Sequence, residues 1–271
     1  MFMRIICIAL LLAAGLKGNA QELYVYTEPA SNMAAKSIGI RLNNYFMRNA
    51  GTNNYKLMVA PEVMLGLSKY IMVHGETFFS NRNADFKFDG ASLYMKYRFL
   101  SEDDVHSHFR MAAFAKGAWN NSALHQEAID LNGMNSGVEA GLVATQLKNK
   151  VAISSSASYV YAADNGNGNK FHYNDKQRHA INYTLSAGRL MLPKEYTSYD
   201  QTNVNLMAEI VGQTNLATGK TFVDLAPSVQ FIFHSRMRLD LGYRFPLSKG
   251  LNRSSNDGAL VRFEYNFFNA F

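Results

Sequence analysis

The chain has 271 residues; 48% are hydrophobic, 13% aromatic and 18% charged, and the formal net charge is +6. A chain this aromatic and this poor in charge does not have the composition of a disordered protein, and no apolar run reaches the roughly 18 residues of a membrane-spanning helix. The basic excess falls by two once Arg4 and Lys17 are set aside, and it is scattered, so no basic stripe points to a nucleic-acid partner.

The first twenty residues read as a secretory leader. Arg4 supplies the positive start, Ile5–Leu16 is apolar, and Gly18-Asn19-Ala20 offers small residues before Gln21. Cys7, the only cysteine, lies inside that leader, so the expected mature chain has no disulfide, thiol nucleophile or cysteine metal ligand. Residues 21–36 follow as a separate N-terminal segment. Leu23, Tyr24, Val25 and Tyr26 are too apolar for a free tail, and Thr27-Glu28-Pro29 is a turn signal. This segment either folds into or under the periplasmic mouth as a plug, or is a short extra strand or loose leader.

From residue 37 to the end, apolar and polar residues alternate with period two. Ala91, Leu93, Met95, Tyr97 and Phe99 alternate with Ser92, Tyr94, Lys96 and Arg98. Met237, Leu239, Leu241, Tyr243 and Phe245 alternate with Arg238, Asp240, Gly242 and Arg244. A helix would scatter those charges over several faces, whereas a strand gathers them on one. The pattern predicts about twelve strands, near 37–47, 56–67, 70–80, 89–100, 108–119, 135–147, 150–161, 179–192, 202–212, 221–233, 236–247 and 258–270. Most are longer than the roughly five or six residues of ordinary strands and match the roughly 9–11 needed to cross a bilayer at a tilt.

The connections alternate in length. Short or moderate turns fall near 68–69, 101–107, 148–150, 193–201 and 234–236, and longer polar loops near 81–88, 120–134, 162–178, 213–220 and 248–257. With the N-terminus in the periplasm, the shorter set falls on the periplasmic side, the asymmetry of outer-membrane barrels. Aromatic residues gather toward strand ends, with Phe46, Phe79, Trp119, Tyr161 and Phe222 expected at the outer rim and Tyr70, Phe99, Phe231, Phe233 and Phe267 at the inner rim. A soluble sandwich would also need an apolar face. Strand length, leader and loop asymmetry together favour an all-β fold of one closed antiparallel transmembrane barrel over 37–271.

The chain ends on Tyr265, Phe267, Asn269 and Phe271. This resembles the terminal strand signal through which the barrel-assembly machinery recognises bacterial outer-membrane proteins, with Tyr265, Phe267 and Phe271 carrying it. The stretch Glu22–Gly39 resembles the start of outer-membrane β-barrel proteins of Bacteroidota-type bacteria. More loosely, the architecture is similar to the barrel family named for the phenol meta-cleavage pathway, treated as outer-membrane transporters. The resemblance implies residence among outer-membrane lipids and carries no catalytic or ligand motif.

Charges on the polar faces cannot face lipid, where mid-depth Arg or Lys costs about 2–4 kcal/mol. Arg41, Lys96, Arg98, Arg110, Lys116, Arg238, Arg244 and Arg262 are therefore expected inside, with Glu62, Glu76, Glu139, Glu209, Asp224, Asp240 and Glu264. Inward Met64, Met72, Phe78, Tyr94 and Phe114 narrow the interior. Two readings stay open: a solute pathway with charged rings, or a salt-bridged filling of a narrow barrel.

The enzymatic signals are weak. The histidines are His74, His106, His108, His125, His172, His179 and His234, and none has a recognisable nucleophile beside it. His74, inward beside Glu76, reads as a hydrogen-bonding lumen group. His106-Ser107-His108 offers two imidazoles, short of the three or four ligands of a zinc site. Gly137 and Gly141 sit in a strand, so no nucleotide loop is indicated. The expectation is a channel or transporter for a small polar or zwitterionic solute, with no cofactor or metal. A barrel hydrolase of lipid or peptide, and a structural or adhesion barrel working through its loops, are the alternatives.

Overall fold

A computed structural model describes residues 24–50, 54–82, 85–104, 107–123, 126–193 and 200–271. The expected leader at 1–20, together with His106 and His125, lies outside them. The strands are β1 (Ser37–Asn49), β2 (Tyr55–Gly66), β3 (Ile71–Ser80), β4 (Lys87–Asp103), β5 (Ser107–Asn120), β6 (Gly137–Lys148), β7 (Val151–Ala162), β8 (His179–Leu192), β9 (Asn203–Asn215), β10 (Thr221–Phe233), β11 (Met237–Lys249) and β12 (Ser255–Phe267). Each pairs antiparallel with its sequence neighbours, and β12 closes on β1, so all twelve form a single closed barrel. Among the described residues no helix is long and apolar enough to cross a membrane.

Alternation places every second side chain outside. Leu93, Leu142 and Phe263 face outward and are more than half exposed, while their polar neighbours Lys96, Arg262 and Glu264 are buried. Arg189 departs from this pattern: it faces outward near the end of β8, where a long cation can reach past the rim. Of the aromatic residues expected at the outer rim, Phe46 and Trp119 point outward, whereas Phe222, at the start of β10, points inward. It shares the inward face with Asp224 and packs on Ala128 and Leu251. Its side-chain parity along β10, not its position near a strand end, sets its direction.

Two strands differ most from their expected limits. β4 continues to Asp103 because Ser101, Glu102 and Asp103 keep pairing with Arg110, Phe109 and His108. β12 begins at Ser255, since Ser255 and Asp257 pair with β1 although they are polar; backbone ladders do not require apolar side chains. The same strand ends at Phe267. Asn269 turns the chain with φ 52, and the Ala270 N–H donates to Lys36 O, so Phe271 stands beyond the strand and exposed. Pro61 and Pro227 face outward, and the ladders skip Ala60–Pro61 toward β3 and Ala226–Pro227 toward β11, because proline has no N–H to donate.

The interior is occupied from both mouths. Residues 24–36 run inside the wall before β1 begins, with Tyr24, Val25 and Ala30 buried. Val25 packs with Met207 and Leu260, and Ala30 with Ala112 and Val143. From the opposite mouth, residues 126–136 fold inward, placing Ile129 and Leu131 against Val160, Ala162 and Ala180 of β7 and β8. Gly66 makes room for the segment: a Cβ there would stand 2.0 Å from Ala34 O.

Candidate functional site: the charged lumen

Cross-strand register assembles the lumen charges. Arg238 is opposite Glu264, Glu264 opposite Arg41, Arg41 opposite Glu62, and Glu62 opposite Glu76. Side chains at facing positions meet, so this rung runs across five strands. Arg238 donates to Glu264 at 2.8 Å, and Arg41 reaches Glu264 at 2.8 Å and Glu62 at 3.1 Å. His74 Nδ1 lies 2.6 Å from Glu62, and Lys116 lies 3.6 Å from Glu76. A second rung sets Asp240 opposite Arg262 and Arg262 opposite Asn43. Arg262 donates to Asn43 Oδ1 at 2.6 Å and lies 3.6 Å from Asp240. These charges are buried yet paired, as burial requires.

The N-terminal segment is tied into these rungs. Glu28 lies 3.0 Å from Arg41 and 3.7 Å from Lys96. Lys96, fully buried, donates to Pro29 O at 2.6 Å and Ser31 O at 2.7 Å. Glu209 Oε1 accepts the backbone N–H groups of Val25 at 2.8 Å and Tyr26 at 2.9 Å. Thr145 accepts from Ala30 N at 2.9 Å, and Arg110 donates to Ser31 Oγ at 2.9 Å. Arg110 also meets Asp103 at 2.8 Å, near the mouth where β1 begins. Arg98 shares that region, and among the described residues no carboxylate lies within 4.0 Å of it.

Toward the opposite mouth stands a separate cluster. Asp224, fully buried, accepts from Arg244 at 2.5 Å and from Arg253 at 2.5 and 2.8 Å. The Arg253 guanidinium stacks 4.1 Å from the centre of the Phe222 ring, and that of Arg244 lies at 5.5 Å. Across the barrel on β6, Glu139 accepts from Ser158 at 2.5 Å and Asn182 at 2.9 Å. The inward faces of β7 and β8 carry no charge between these levels. They present Ser154, Ser156, Ser158, Thr184 and Asn182 instead.

Between the segment and the inward loop lies a cavity of about 400 Å³, lined by Tyr26, Glu28, Arg262, Glu139, Arg244 and Arg253 among others. Small-molecule sites span about 300–1,000 Å³. Loop groups fix its outer edge. Arg82 donates to Gly133 O at 3.2 Å and Asn132 O at 3.4 Å, and its burial lowers its pKa. Lys220, 2.6 Å from Glu127, holds that carboxyl below its ordinary value, and the backbone N–H of Asn252 adds to the effect. The backbone N–H of Phe171, and then Arg178, likewise lower Asp164.

All the expected lumen residues, Glu62, His74, Glu76, Lys96, Arg98, Arg110, Glu139, Glu209, Arg238, Asp240, Arg244, Arg262 and Glu264, lie on inward-facing positions. They divide into groups: the two rungs, the segment anchors, and the Asp224 and Glu139 levels. Sequence reading missed Glu28 and Arg253 as partners of these groups, and Arg82 as a tie to the inward loop. Glu28 was detectable as the one carboxylate of residues 24–36, whereas nothing in the polar loops marked Arg82 or Arg253. Of the histidines, His108 meets Asp103 and His179 meets Tyr159. Among the described residues no three His, Cys, Asp or Glu side chains are gathered to hold a metal.

No family model matches the chain, and no curated protein matches it. Among solved structures, an outer-membrane channel of Pseudomonas putida F1 is similar over 90% of this chain and 100% of its own, at 9% identity and a TM-score of 0.57. The KdgM porin is similar over 84% and 99% of the two chains, at 9% identity and a TM-score of 0.48. The NanC porin is similar over 85% and 98%, at 9% identity and a TM-score of 0.47. The likeness to the Pseudomonas channel is one of fold: a closed antiparallel barrel.

Proposed function

We propose that this chain is an outer-membrane barrel that passes a small polar solute through its charged lumen, with residues 24–36 seated there as a plug. One observation carries the reading: a wall with exposed Leu93, Leu142 and Phe263 outside encloses ion-paired Arg41, Glu62, Arg262 and Glu264 around a cavity. Apolar outside and polar inside is the arrangement that hydrocarbon surroundings demand of a barrel. The fold likeness to a protein described as an outer-membrane channel supports the same class. The terminal Tyr265, Phe267 and Phe271 then serve the assembly machinery, residues 1–20 serve export, and membrane lipids cover the outer face. The resemblance to Bacteroidota-type barrels and to the phenol meta-cleavage family bears on fold and location.

Liposome swelling and planar-bilayer conductance test the reading. The full mature chain is expected to pass small solutes slowly, and deletion of residues 22–35 to raise conductance several-fold. Swelling by neither form would overturn the channel; equal conductance of both would overturn the plug.

A further inference from the structure

The cavity wall carries one surplus positive and one surplus negative charge, and they stand on different sides. Arg244 and Arg253 share the single carboxylate of Asp224, so that cluster carries one surplus positive charge. Arg253 is 6% exposed, and its Nε has no hydrogen-bond partner. Glu139 accepts from the neutral groups of Ser158 and Asn182; Lys116, opposite it on β5 in the same cavity wall, turns its ammonium to Glu76 at 3.6 Å and Asn132 Oδ1 at 2.5 Å, so two carboxylates share one cation and among the described residues none lies within 4.0 Å of Glu139. In the closed strand order β6 stands five places from β11 and six from β12, so Glu139 faces the Arg244–Arg253 side across the lumen. All three side chains line the same cavity, whose apolar floor on the arginine side is Phe222.

We infer that this cavity is a binding site for a small zwitterion of the amino-acid or short-peptide class, with its carboxylate on Arg244 and Arg253 and its ammonium on Glu139. A guanidinium pair offers parallel N–H donors that match a carboxylate. A ligand with only one charge would leave the opposite wall group facing it unpaired, and unpaired charge is costly away from bulk water. A zwitterion answers both. The Phe222 ring holds the guanidinium planes in place by stacking, and the hydroxyl and amide faces of β7 and β8 supply neutral partners for peptide groups. This deepens the reading of the lumen as a solute pathway and rests on it.

The test uses the mature chain in detergent micelles, with binding of L-alanyl-L-alanine, its N-acetyl derivative and its C-terminal amide followed by saturation-transfer NMR. The free dipeptide is expected to bind about tenfold or more tightly than either blocked form, the scale of one charge-assisted hydrogen bond. Glu139→Gln should remove the preference over the N-acetyl form and keep the preference over the amide. Arg253→Gln should do the reverse. Arg244→Gln, which leaves the two Arg253 bonds to Asp224 intact, serves where Arg253→Gln does not refold. Equal binding of all three probes, or no binding of the dipeptide at millimolar concentration, would overturn the site. Liposome swelling in an uncharged sugar reads passage separately. Swelling without dipeptide binding removes the zwitterion site and leaves the channel. Dipeptide binding without swelling keeps the site and removes the channel.

Discussion

A single oxygen of Glu209 receives the backbone N–H groups of Val25 and Tyr26, at 2.8 and 2.9 Å, inside a wall where Glu209 is fully buried. Ser186 adds a hydroxyl to the other oxygen at 3.2 Å. One strand carboxylate thus holds two adjacent peptide groups of a segment 183 and 184 residues earlier in the chain. Replacing it by alanine orphans both donors, at about 1–3 kcal/mol each. Glu209→Ala is therefore expected to loosen the segment while the barrel persists. A cysteine at Tyr24, introduced into a chain that starts at Gln21 and so lacks Cys7, should react with a water-soluble maleimide faster in Glu209→Ala than in the parent. Equal rates would show that Glu209 is not the anchor.

Lys96 bridges Pro29 O, Ser31 O and Glu28 from within the lumen. Removing a partner of a buried ion pair costs about 3–5 kcal/mol, and Arg41, still bonded to Glu28, places this case at the low end. Lys96→Met should lower the urea midpoint of the folded barrel in detergent, and adding Glu28→Gln should recover part of the loss. Additive losses in the double variant would deny the coupling.

Gly66 and Gly75 form an internal control. A Cβ at Gly66 would meet Ala34 O at 2.0 Å, whereas a Cβ at Gly75 meets nothing within 4 Å. Backbone cannot yield as a flexible side chain does, so Gly66→Ala should displace the segment and raise conductance, with Gly75→Ala indistinguishable from the parent. The same conductance in all three proteins would contradict the close approach at Gly66.

Glu127 docks the loop of residues 126–136 on Lys220 and on the backbone N–H of Asn252. Its folded pKa is depressed, so the docking contribution is fully present above the ordinary Glu value of about 4.3 and is lost as pH falls through the lower, docked value. Both side chains touch solvent, which screens the pair and keeps its worth small. The protection of this loop against hydrogen exchange, measured relative to the intrinsic amide rate at each pH, should therefore fall at acid pH and change little near neutrality; Glu127→Gln should flatten the response. A loop equally protected throughout would remove Glu127 as its pH-sensitive tie.

Leu142 and Val143 are neighbours with opposite surroundings: Leu142 is 53% exposed on the outer face and Val143 is 1% exposed against Ala30. Within lipid, Leu142→Arg should cost about 2–4 kcal/mol, read as a lower folding yield into vesicles than into mild detergent. No difference between the two media would argue against hydrocarbon at this face.

The twelve strands were legible because period-two alternation is a local property: Leu239 and Leu241 outside, Arg238 and Asp240 inside need only their own neighbours. Inward direction of the lumen charges followed for the same reason. Phe222 shows where position misled, since nearness to a strand end suggested an aromatic girdle while parity with Asp224 put the ring in the lumen. β12 shows the limit of hydropathy for strand ends, because Ser255 and Asp257 pair through backbone groups that hydropathy does not register.

The sequence by itself determined the wall: its strand number, its closed antiparallel class and the inward side of the expected lumen charges. Only the tertiary structure decided which charges meet. Arg41 joins Glu264, 223 residues away, and Asp224 joins Arg253 from a polar loop, because register and loop folding set those encounters. Alternation fixes a side chain's face through the geometry of one strand; partnership depends on the offset between strands and on chain that returns into the lumen, and neither is written in any single strand.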